Sequence, residues 1–355
     1  MIITLEEYKK FLRRRFFRDC AIRDRNMFVF VTEMIYTDEE VEEEEREGYN
    51  PSRRPKQIAS LFRDQAVGTQ WGWSNLQGWE TTIIGTAQKP LNQSVSVEKF
   101  AVFPTMRSRS YVTGSGPAYE DIPIHSASSN EPNNWRRGAI TRLKSIDGWL
   151  YACGGGRSFA KRLDRGSWQS FTQDIPQLPG TYSETLGAEG FDDFDAYGEN
   201  DIYAIGGHGD VWHFDGRHWQ QIPFPSNEPL ESICCGGDGN VYISGYEGIT
   251  FMGRGNRWKK IHDGGISLGF RDMVWHDGKV WCTSDYGLWT IAGGRVRVAD
   301  VPATVAACAG HLAVGDGVLL LAGLSGAAFM ENGRWESIIS FSAMEKLLKL
   351  EISDE

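Results

Sequence analysis

Cysteine and histidine are scarce in this chain of 355 residues, which holds six of the first and seven of the second. No two cysteines form a C-x-x-C pair, and no two histidines have the spacing of metal ligands on one helix face. We therefore expect no disulfide framework, no zinc site and no cofactor, since such sites need these groupings. The G-x-S-x-G, P-loop and zincin motifs are also missing, so the sequence offers no recognised catalytic motif.

Long apolar runs and positive charge are in short supply as well. No window approaches the length of a transmembrane helix, and the first residues lack the apolar core of a signal peptide. We expect a cytoplasmic protein without membrane contact. The formal net charge is −10. Nucleic acid is not expected as a partner, because phosphate binding needs a basic surface, whereas a basic protein partner suits this charge.

Glycine and tryptophan are plentiful, with 41 and 13 residues, and they recur at a fixed spacing. Tyr203 and Trp219 reappear 39 residues later as Tyr242 and Trp258. Weaker copies extend the repeat in both directions, so that seven units can be counted. The residues that we align as equivalent second-strand positions are Tyr111, Tyr151, Tyr203, Tyr242, Trp281 and Leu320, with Trp71 in a degenerate first copy.

Each unit divides into four short apolar runs separated by turns such as Asp-Gly and Gly-Asn. The copy at 230–261 has such runs at 230–234, 241–244, 249–252 and 257–261. A period near 40 residues with four strands per unit is typical of a β-propeller blade. We therefore predict an all-β fold, a seven-bladed β-propeller. A β-solenoid and a pair of sandwiches are the alternatives.

The repeat resembles bacterial propeller units built on Y-x-x-G-x-x-G followed by D-G-x-x-W. Asp215 to Trp219 is the closest match to the second part, and the resemblance covers 142–338 well and 67–124 loosely. It implies a shape and little chemistry, because such repeats occur in proteins of many functions. The signatures of WD40, kelch and sialidase-like repeats are absent.

Outside the repeats, we divide the chain into three parts. Residues 1–25 hold an amphipathic, basic helix over 5–17, which a Thr-x-x-Glu capping box at 4–7 begins. Residues 26–340 form the propeller. Its first strand, 27–36, is expected to pair within the first or last blade, in a ring closed by strands from both termini. An acidic stretch, 38–56, is expected to be a flexible insertion. A short helix occupies 341–355.

In a propeller, the turns between second and third strands share one face with the connections between blades. We expect this face to bind a partner, because Tyr, Trp and Arg in irregular loops on a rigid scaffold dominate interface energetics. Further polar residues should line the central channel, namely Asp192, Asp193, Glu231, Arg271 and Asp272. The predicted binding residues are Trp135, Arg136, His208, Tyr246, Glu247, Asp285 and Tyr286.

The favoured function is a non-enzymatic, monomeric protein-binding module. One specific class is an immunity protein that neutralises a basic toxin or effector. The first alternative is an enzyme, a hydrolase or lyase, that would pair His208 with Asp285 or Glu247, or Asp192 with Arg271. The second is a carbohydrate-binding propeller with a polar site at the channel.

Overall fold

The computed structural model describes residues 2–48, 54–99, 107–176 and 190–353. Seven four-stranded antiparallel sheets form the blades of a seven-bladed β-propeller, with a short helical segment before them and a helix after them. The predicted fold class is therefore confirmed.

The strands are numbered β1 to β30 along the chain. Blade 1 holds β1 (Arg15–Asp24), β2 (Met27–Met34), β3 (Lys56–Phe62) and β4 (Trp71–Leu76); blade 2 holds β5 (Thr82–Ala87), β6 (Gln93–Glu98), β8 (Ser110–Gly114) and β9 (Tyr119–Glu120). Blade 3 holds β11 (Ile140–Ile146), β12 (Trp149–Gly154), β13 (Ser158–Asp164) and β14 (Ser167–Ser170); blade 4 holds β15 (Asp193–Gly198), β16 (Asp201–Gly206), β17 (Asp210–Phe214) and β18 (Trp219–Gln221). Blade 5 holds β19 (Leu230–Cys235), β20 (Val241–Gly245), β21 (Thr250–Arg254) and β22 (Arg257–His262); blade 6 holds β23 (Asp272–His276), β24 (Lys279–Ser284), β25 (Gly287–Ala292) and β26 (Arg295–Val298). Blade 7 holds β27 (Gly310–Gly315), β28 (Val318–Gly323), β29 (Gly326–Glu331) and β30 (Arg334–Ser340), while β7 (Arg107–Ser108) pairs with β10 (Ile124–His125).

The hairpins owe their tight turns to residues that tolerate a left-handed backbone. At the Asp277-Gly278 turn between β23 and β24, φ is 52° and then 77°. Two successive positive φ angles match the right-handed twist of the flanking strands, and Asp-Gly or Asn-Gly supplies them at low steric cost. Two successive positive φ angles also occur at 147–148, 316–317 and 332–333.

The predicted alignment of the sequence repeat is correct for blades 3 to 7 and wrong for blades 1 and 2. Tyr151, Tyr203, Tyr242, Trp281 and Leu320 all lie on the second strand of their blades, and all are buried. Tyr111, however, lies on β8, the third strand of blade 2, and Trp71 lies on β4, the fourth strand of blade 1. The spacing predicts the right number of blades but misaligns these two, because an aromatic residue with a glycine three positions on, as at Tyr111 and Gly114, also occurs on a third strand.

The N-terminal helix is shorter than its hydrophobic periodicity predicts. The capping box at Thr4 is present, and helix α1 (Leu5–Glu7) continues as a π-helical turn, Tyr8–Leu12. Arg14 then takes a φ of 59°, which ends the helical path, and β1 begins at Arg15. The predicted helix over 5–17 is therefore wrong beyond residue 12.

The acidic stretch contains a helix. Residues Asp38–Glu47 form helix α2, which a second capping box at Thr37 begins. Glu44 on this helix is buried and accepts two hydrogen bonds from Arg54. The predicted insertion therefore contains regular structure in this helix and at Lys56, which begins β3, and its flexibility stays a prediction. The part of the predicted insertion at 49–53 lies outside the described residues.

Two further helices are α3 (Ala303–Ala306) and α4 (Phe341–Ser353). The contacts divide the chain into two compact units: Met1–Ile84, Asp285–Leu288 and Asp300–Glu355 form the first, and Gly85–Ser284 with Trp289–Ala299 form the second. The first unit contains blades 1 and 7 and both helical ends of the chain. None of the helices in the described ranges is long and apolar enough to cross a membrane.

Within the first unit, blades 1 and 7 meet without exchanging a strand. The expected pairing of the segment at 27–36 inside the first blade is confirmed, since β2 pairs with β1 and β3. The expected closure by strands from both termini is not found in the described ranges. Instead, the ring of Phe28 packs against that of Phe329 at 5.5 Å, and the Ile2 amide donates a hydrogen bond to the Ile338 carbonyl. Side-chain packing between complete blades makes this junction.

Candidate functional site

The turns and inter-blade loops of blades 4 and 5 form one continuous surface in the second unit. In a four-stranded antiparallel blade, the turn after the second strand and the connection after the fourth leave from the same end. Four such segments contact each other here: 207–209, 222–229, 246–248 and 263–271. The Tyr246 amide donates a hydrogen bond to the Pro229 carbonyl, and the Ile266 amide donates one to the Glu247 carbonyl, both at 3.0 Å. We call these four segments the loop surface.

His208 lies on the loop surface, as predicted, and its side chain is exposed. Its Nδ1 atom is 3.1 Å from the carbonyl oxygen of Asn227. A carbonyl oxygen only accepts, so Nδ1 carries the proton and, in the neutral ring, Nε2 is left as an acceptor. Among the described residues, a carbonyl rather than the carboxylate of Glu247 orients this ring.

Tyr246 and Glu247 form the most prominent part of the loop surface. They belong to a 3-10 turn, Tyr246–Gly248, and Tyr246 is 56% exposed. Glu247 has a φ of 54°, an uncommon backbone conformation for a residue other than glycine. The hydrogen bonds to Pro229 and from Ile266 hold the turn from both sides. A rigid turn thus presents an aromatic ring beside a carboxylate, a combination suited to contact with a basic protein surface.

Asp285 and Tyr286 form the equivalent turn of blade 6, between β24 and β25, and they belong to the first unit. Tyr286 is 81% exposed, and Asp285 is half-buried. Tyr286 is thus as available to a partner as the sequence predicts.

Trp135 and Arg136 are not exposed, and this corrects the expectation for the long loop at 126–138. Trp135 is 4% exposed and packs against Trp168, while the Arg136 side chain is completely buried. Arg136 donates to the carbonyl of Gly138, and its backbone pairs with that of His125. The loop folds back on itself, because its buried backbone and arginine need these partners. Neither side chain is presented on the outer surface of this loop.

In the loop at 172–190, residues 177–189 lie outside the described residues.

Two of the carboxylates expected in the channel share one arginine instead. Asp193 on β15 forms ion pairs with Arg142 at 3.2 Å and with Lys144 at 2.8 Å, and Arg142 also forms an ion pair with Asp272 on β23 at 2.5 Å. The side chains of the two aspartates are almost fully buried. Buried charges persist only when they are paired, so this network serves the packing of blades 3, 4 and 6.

Two carboxylates expected in the channel, Asp192 and Glu231, have raised pKa values. Burial raises the pKa of Asp192 above its usual value, against the lowering effect of a hydrogen bond from the Gly207 amide. Burial also raises the pKa of Glu231, the charge of Asp192 raises it further, and the charge of Arg271 lowers it. In the described ranges, no group of three or more His, Cys, Asp or Glu residues is arranged to hold a metal ion.

Sequence reasoning missed the inter-blade half of the loop surface. Asn227 orients His208, and Ile266 binds the backbone of Glu247. Each of these residues comes eight positions after the repeated tryptophan of its blade, Trp219 or Trp258. This shared spacing marks equivalent positions in the two inter-blade loops. It is hard to recognise in the sequence, because an asparagine and an isoleucine occupy those positions.

Comparison with solved structures identifies the fold. The WD40 β-propeller domain of Doa1 superposes with a TM-score of 0.57 and 11% identity, over 91% of this chain and 95% of that one. YCF48 bound to a D1 peptide gives a TM-score of 0.56 and 13% identity, over 89% of this chain and 93% of that one. These likenesses show a propeller and nothing of function. The more specific resemblance to bacterial Y-x-x-G-x-x-G repeats stays a prediction.

Comparison with known sequences gives a closer relative, although no family model matches the chain. The immune protein Tsi7 of Pseudomonas aeruginosa strain PAO1 is 30% identical over 242 residues, which are 68% of this chain and 74% of that protein. Identity at this level over most of both chains exceeds what a shared fold alone produced in the solved structures. The chain belongs to the family of the immune protein Tsi7.

Proposed function

We propose that this protein is an immunity protein that neutralises a protein toxin by binding it through the loop surface. The observation that carries the proposal is its kinship with an immune protein, combined with a rigid propeller surface that presents Tyr246 and Glu247 to solvent. A protein that acts by binding needs such a surface and no catalytic groups.

The chemistry of the loop surface favours a basic partner. Glu247 is exposed beside Tyr246, and Glu228 is exposed beside Asn227. Leu268, 42% exposed, adds an apolar side chain to the loop surface. The net charge of −10 adds long-range attraction for a cationic protein. We further propose that the protein acts as a monomer in the cytoplasm and that neither nucleic acid nor a membrane is its partner.

The experiment tests growth and binding together. The first toxin candidate is the product of the gene beside this one. It is expressed in a bacterial host with and without this protein, and association of the purified pair is measured at several salt concentrations. We expect the protein to restore growth, and we expect Glu247→Lys to slow association several-fold at low salt, with the difference shrinking as salt screens the charges.

Glu336→Lys is the matched control, because it makes the same charge change at an exposed glutamate on β30. Equal association rates for the two variants would place the interface elsewhere on the protein. A toxin that binds but stays active would contradict the neutralising role itself.

A further inference from the structure

A cavity of about 290 Å³ lies between the loop that leads into blade 3 and the outer strand of that blade. It belongs wholly to the second unit and is separate from the four segments of the loop surface. It is lined by Ala127, Asn133, Asn134, Trp135, Arg137, Trp168, Ser170, Thr172 and Gln173. We call it the indole cavity, after its two tryptophans. Its volume is at the lower end of the range of small-molecule sites.

The walls of the indole cavity are held in place by hydrogen bonds. The guanidinium of Arg137 donates to the carbonyls of Thr172 at 2.8 Å and Ile175 at 3.1 Å. The amide of Arg137 donates to the Ser158 hydroxyl at 2.7 Å. The hydroxyls of Ser170 and Thr172 are within hydrogen-bond distance of each other. A site fixed in this way binds without first having to order its own walls.

The charge in the cavity is positive, and no counter-ion faces it among the residues that the structure describes. Arg137 is half-buried, both partners of its guanidinium are neutral carbonyls, and it makes no ion pair among the described residues. None of the nine lining residues is acidic. Burial lowers the pKa of Arg137, and the charge of Arg157 lowers it further, yet a guanidinium stays charged at neutral pH. A partly desolvated cation without a counter-ion is stabilised by an anion that enters beside it.

The tryptophans limit which anion fits. The rings of Trp135 and Trp168 lie 5.4 Å apart and 35° from parallel, and they form an apolar wall beside the guanidinium. Trp135 Nε1 and Asn133 Nδ2 are buried donors without a partner. A buried donor without a partner destabilises the protein by about 1–3 kcal/mol. A small shift of the wall that lets these two groups donate to an acceptor on a ligand is therefore favourable. The tryptophan wall, the Arg137 guanidinium and the two unpaired donors together suit a ligand that carries a planar group with acceptor oxygens. The rest of that ligand would be flat or apolar.

We propose that the indole cavity binds a carboxylate carried on a planar or apolar group. The carboxylate belongs either to a side chain of the toxin or to a free small organic acid. The first source would make the cavity a second anchor for the toxin and therefore rests on the proposed function. The second source does not depend on it.

The first test uses benzoate as the probe and needs no toxin. Protein labelled with ¹⁵N in its indole groups is titrated with benzoate, and Trp135→Phe assigns the signal of Trp135. We expect benzoate to shift the Trp135 and Trp168 signals, while benzylamine and inorganic phosphate leave them in place. Both Arg137→Gln and Trp168→Ala should weaken benzoate binding at least about tenfold, a difference easily resolved by titration.

Lys259→Gln is the control, because it removes an exposed cation from β22 in the same unit. Two variants are used because Arg137→Gln also removes the hydrogen bonds to Thr172 and Ile175, whereas Trp168→Ala leaves them in place. Absence of a benzoate shift, equal shifts with phosphate, or unchanged binding in both variants would overturn the proposal.

The second test identifies the source of the carboxylate. Toxin association is measured with Trp168→Ala and, separately, with saturating benzoate. Weaker association in both cases assigns the carboxylate to the toxin, and unchanged association together with benzoate binding assigns it to a free acid. Because the benzoate titration stands alone, failure of the toxin proposal and failure of the cavity proposal can be told apart.

Discussion

The hydroxyl of Tyr8 donates a hydrogen bond to Glu345 Oε1 at 2.8 Å, and this bond joins the helical turn at the start of the chain to α4 at its end. Tyr8 is 2% exposed. Burial raises the pKa of its phenol far above the usual value, and the hydrogen bond to Glu345 raises it further. This bond, buried on the Tyr8 side and partly exposed on the Glu345 side, therefore connects the two helical segments inside the first unit.

We expect Tyr8→Phe to lower the free energy of unfolding by about 0.5–1.5 kcal/mol, because Glu345 loses a donor while its partly exposed carboxylate still reaches water and Arg13. The urea midpoint measures the loss. Glu345→Gln keeps an acceptor oxygen and should cost less. If Tyr8→Phe unfolds at the same urea concentration as the parent, the bond does not stabilise the ends of the chain.

A second prediction concerns the pH dependence at the junction of blades 1 and 7. Glu331 accepts hydrogen bonds from Arg63 at 2.7 Å and Arg25 at 2.5 Å, and these bonds hold its pKa below the usual range. A carboxyl with a depressed pKa stabilises the folded state above its unfolded pKa of about 4.3, and that contribution disappears as the pH falls through the folded value. We expect Glu331→Gln to lower the urea midpoint at pH 7 and to differ little from the parent at the acid end.

The control for this prediction is Glu336→Gln, which removes an exposed carboxylate from β30. A Glu331→Gln deficit that stays constant from neutral to acid pH would mean that lost packing, and not lost charge, is responsible.

The third prediction separates two repeated tryptophans. Trp219 is 5% exposed and packs on Phe159, Phe191 and Phe214, with centroids 5.1 to 5.7 Å away. Trp258 at the equivalent position is only half-buried. We expect Trp219→Ala to cost about 3–5 kcal/mol and Trp258→Ala clearly less, because the cavity left behind is smaller. Equal shifts in urea midpoint would show that the repeat, and not local burial, governs the cost.

The fourth prediction concerns the buried charges on the inner strands of the blades. Asp193 is fully buried, forms ion pairs with Arg142 and Lys144, and accepts a hydrogen bond from the amide of Ile233 in the next blade. Removing one partner from a buried pair leaves an uncompensated charge, so we expect Asp193→Ala to cost about 3–5 kcal/mol. Asp192→Ala changes the adjacent residue, which reaches the surface although the surrounding protein partly removes it from water, and it should cost much less. Thermal melts of the two variants, compared side by side, test this, and similar melting temperatures would contradict it.

The sequence predicts the propeller from glycines and aromatics whose spacing reflects geometry. Tyr203 and Tyr242 recur because each fills the same position on a second strand, and Asp277-Gly278 marks a hairpin because the turn needs positive φ. The strands of blade 1 cannot be predicted from this spacing. Helix α2 interrupts it between β2 and β3, so its strands do not follow the spacing of the other blades.

The candidate site was predictable only in part, for a related reason. His208, Tyr246 and Glu247 sit in turns whose position the repeat dictates, so the sequence brings them to one surface. Trp135 and Arg136 sit in an inter-blade loop whose burial depends on contacts with Trp168 and Gly138. Nothing in the local sequence distinguishes an aromatic and a cation that face solvent from the same pair turned inward.

The junction between blades 1 and 7 has a consequence for synthesis on the ribosome. Because each blade is made of strands from its own stretch of chain, blades can complete themselves one after another as the chain emerges, as contiguous units generally do. Blade 1 is the exception in one respect: Phe28 and Glu331 belong to the same junction, yet about 300 residues separate them in the chain. Blade 1 must therefore wait, with one face uncovered, until blade 7 has been translated.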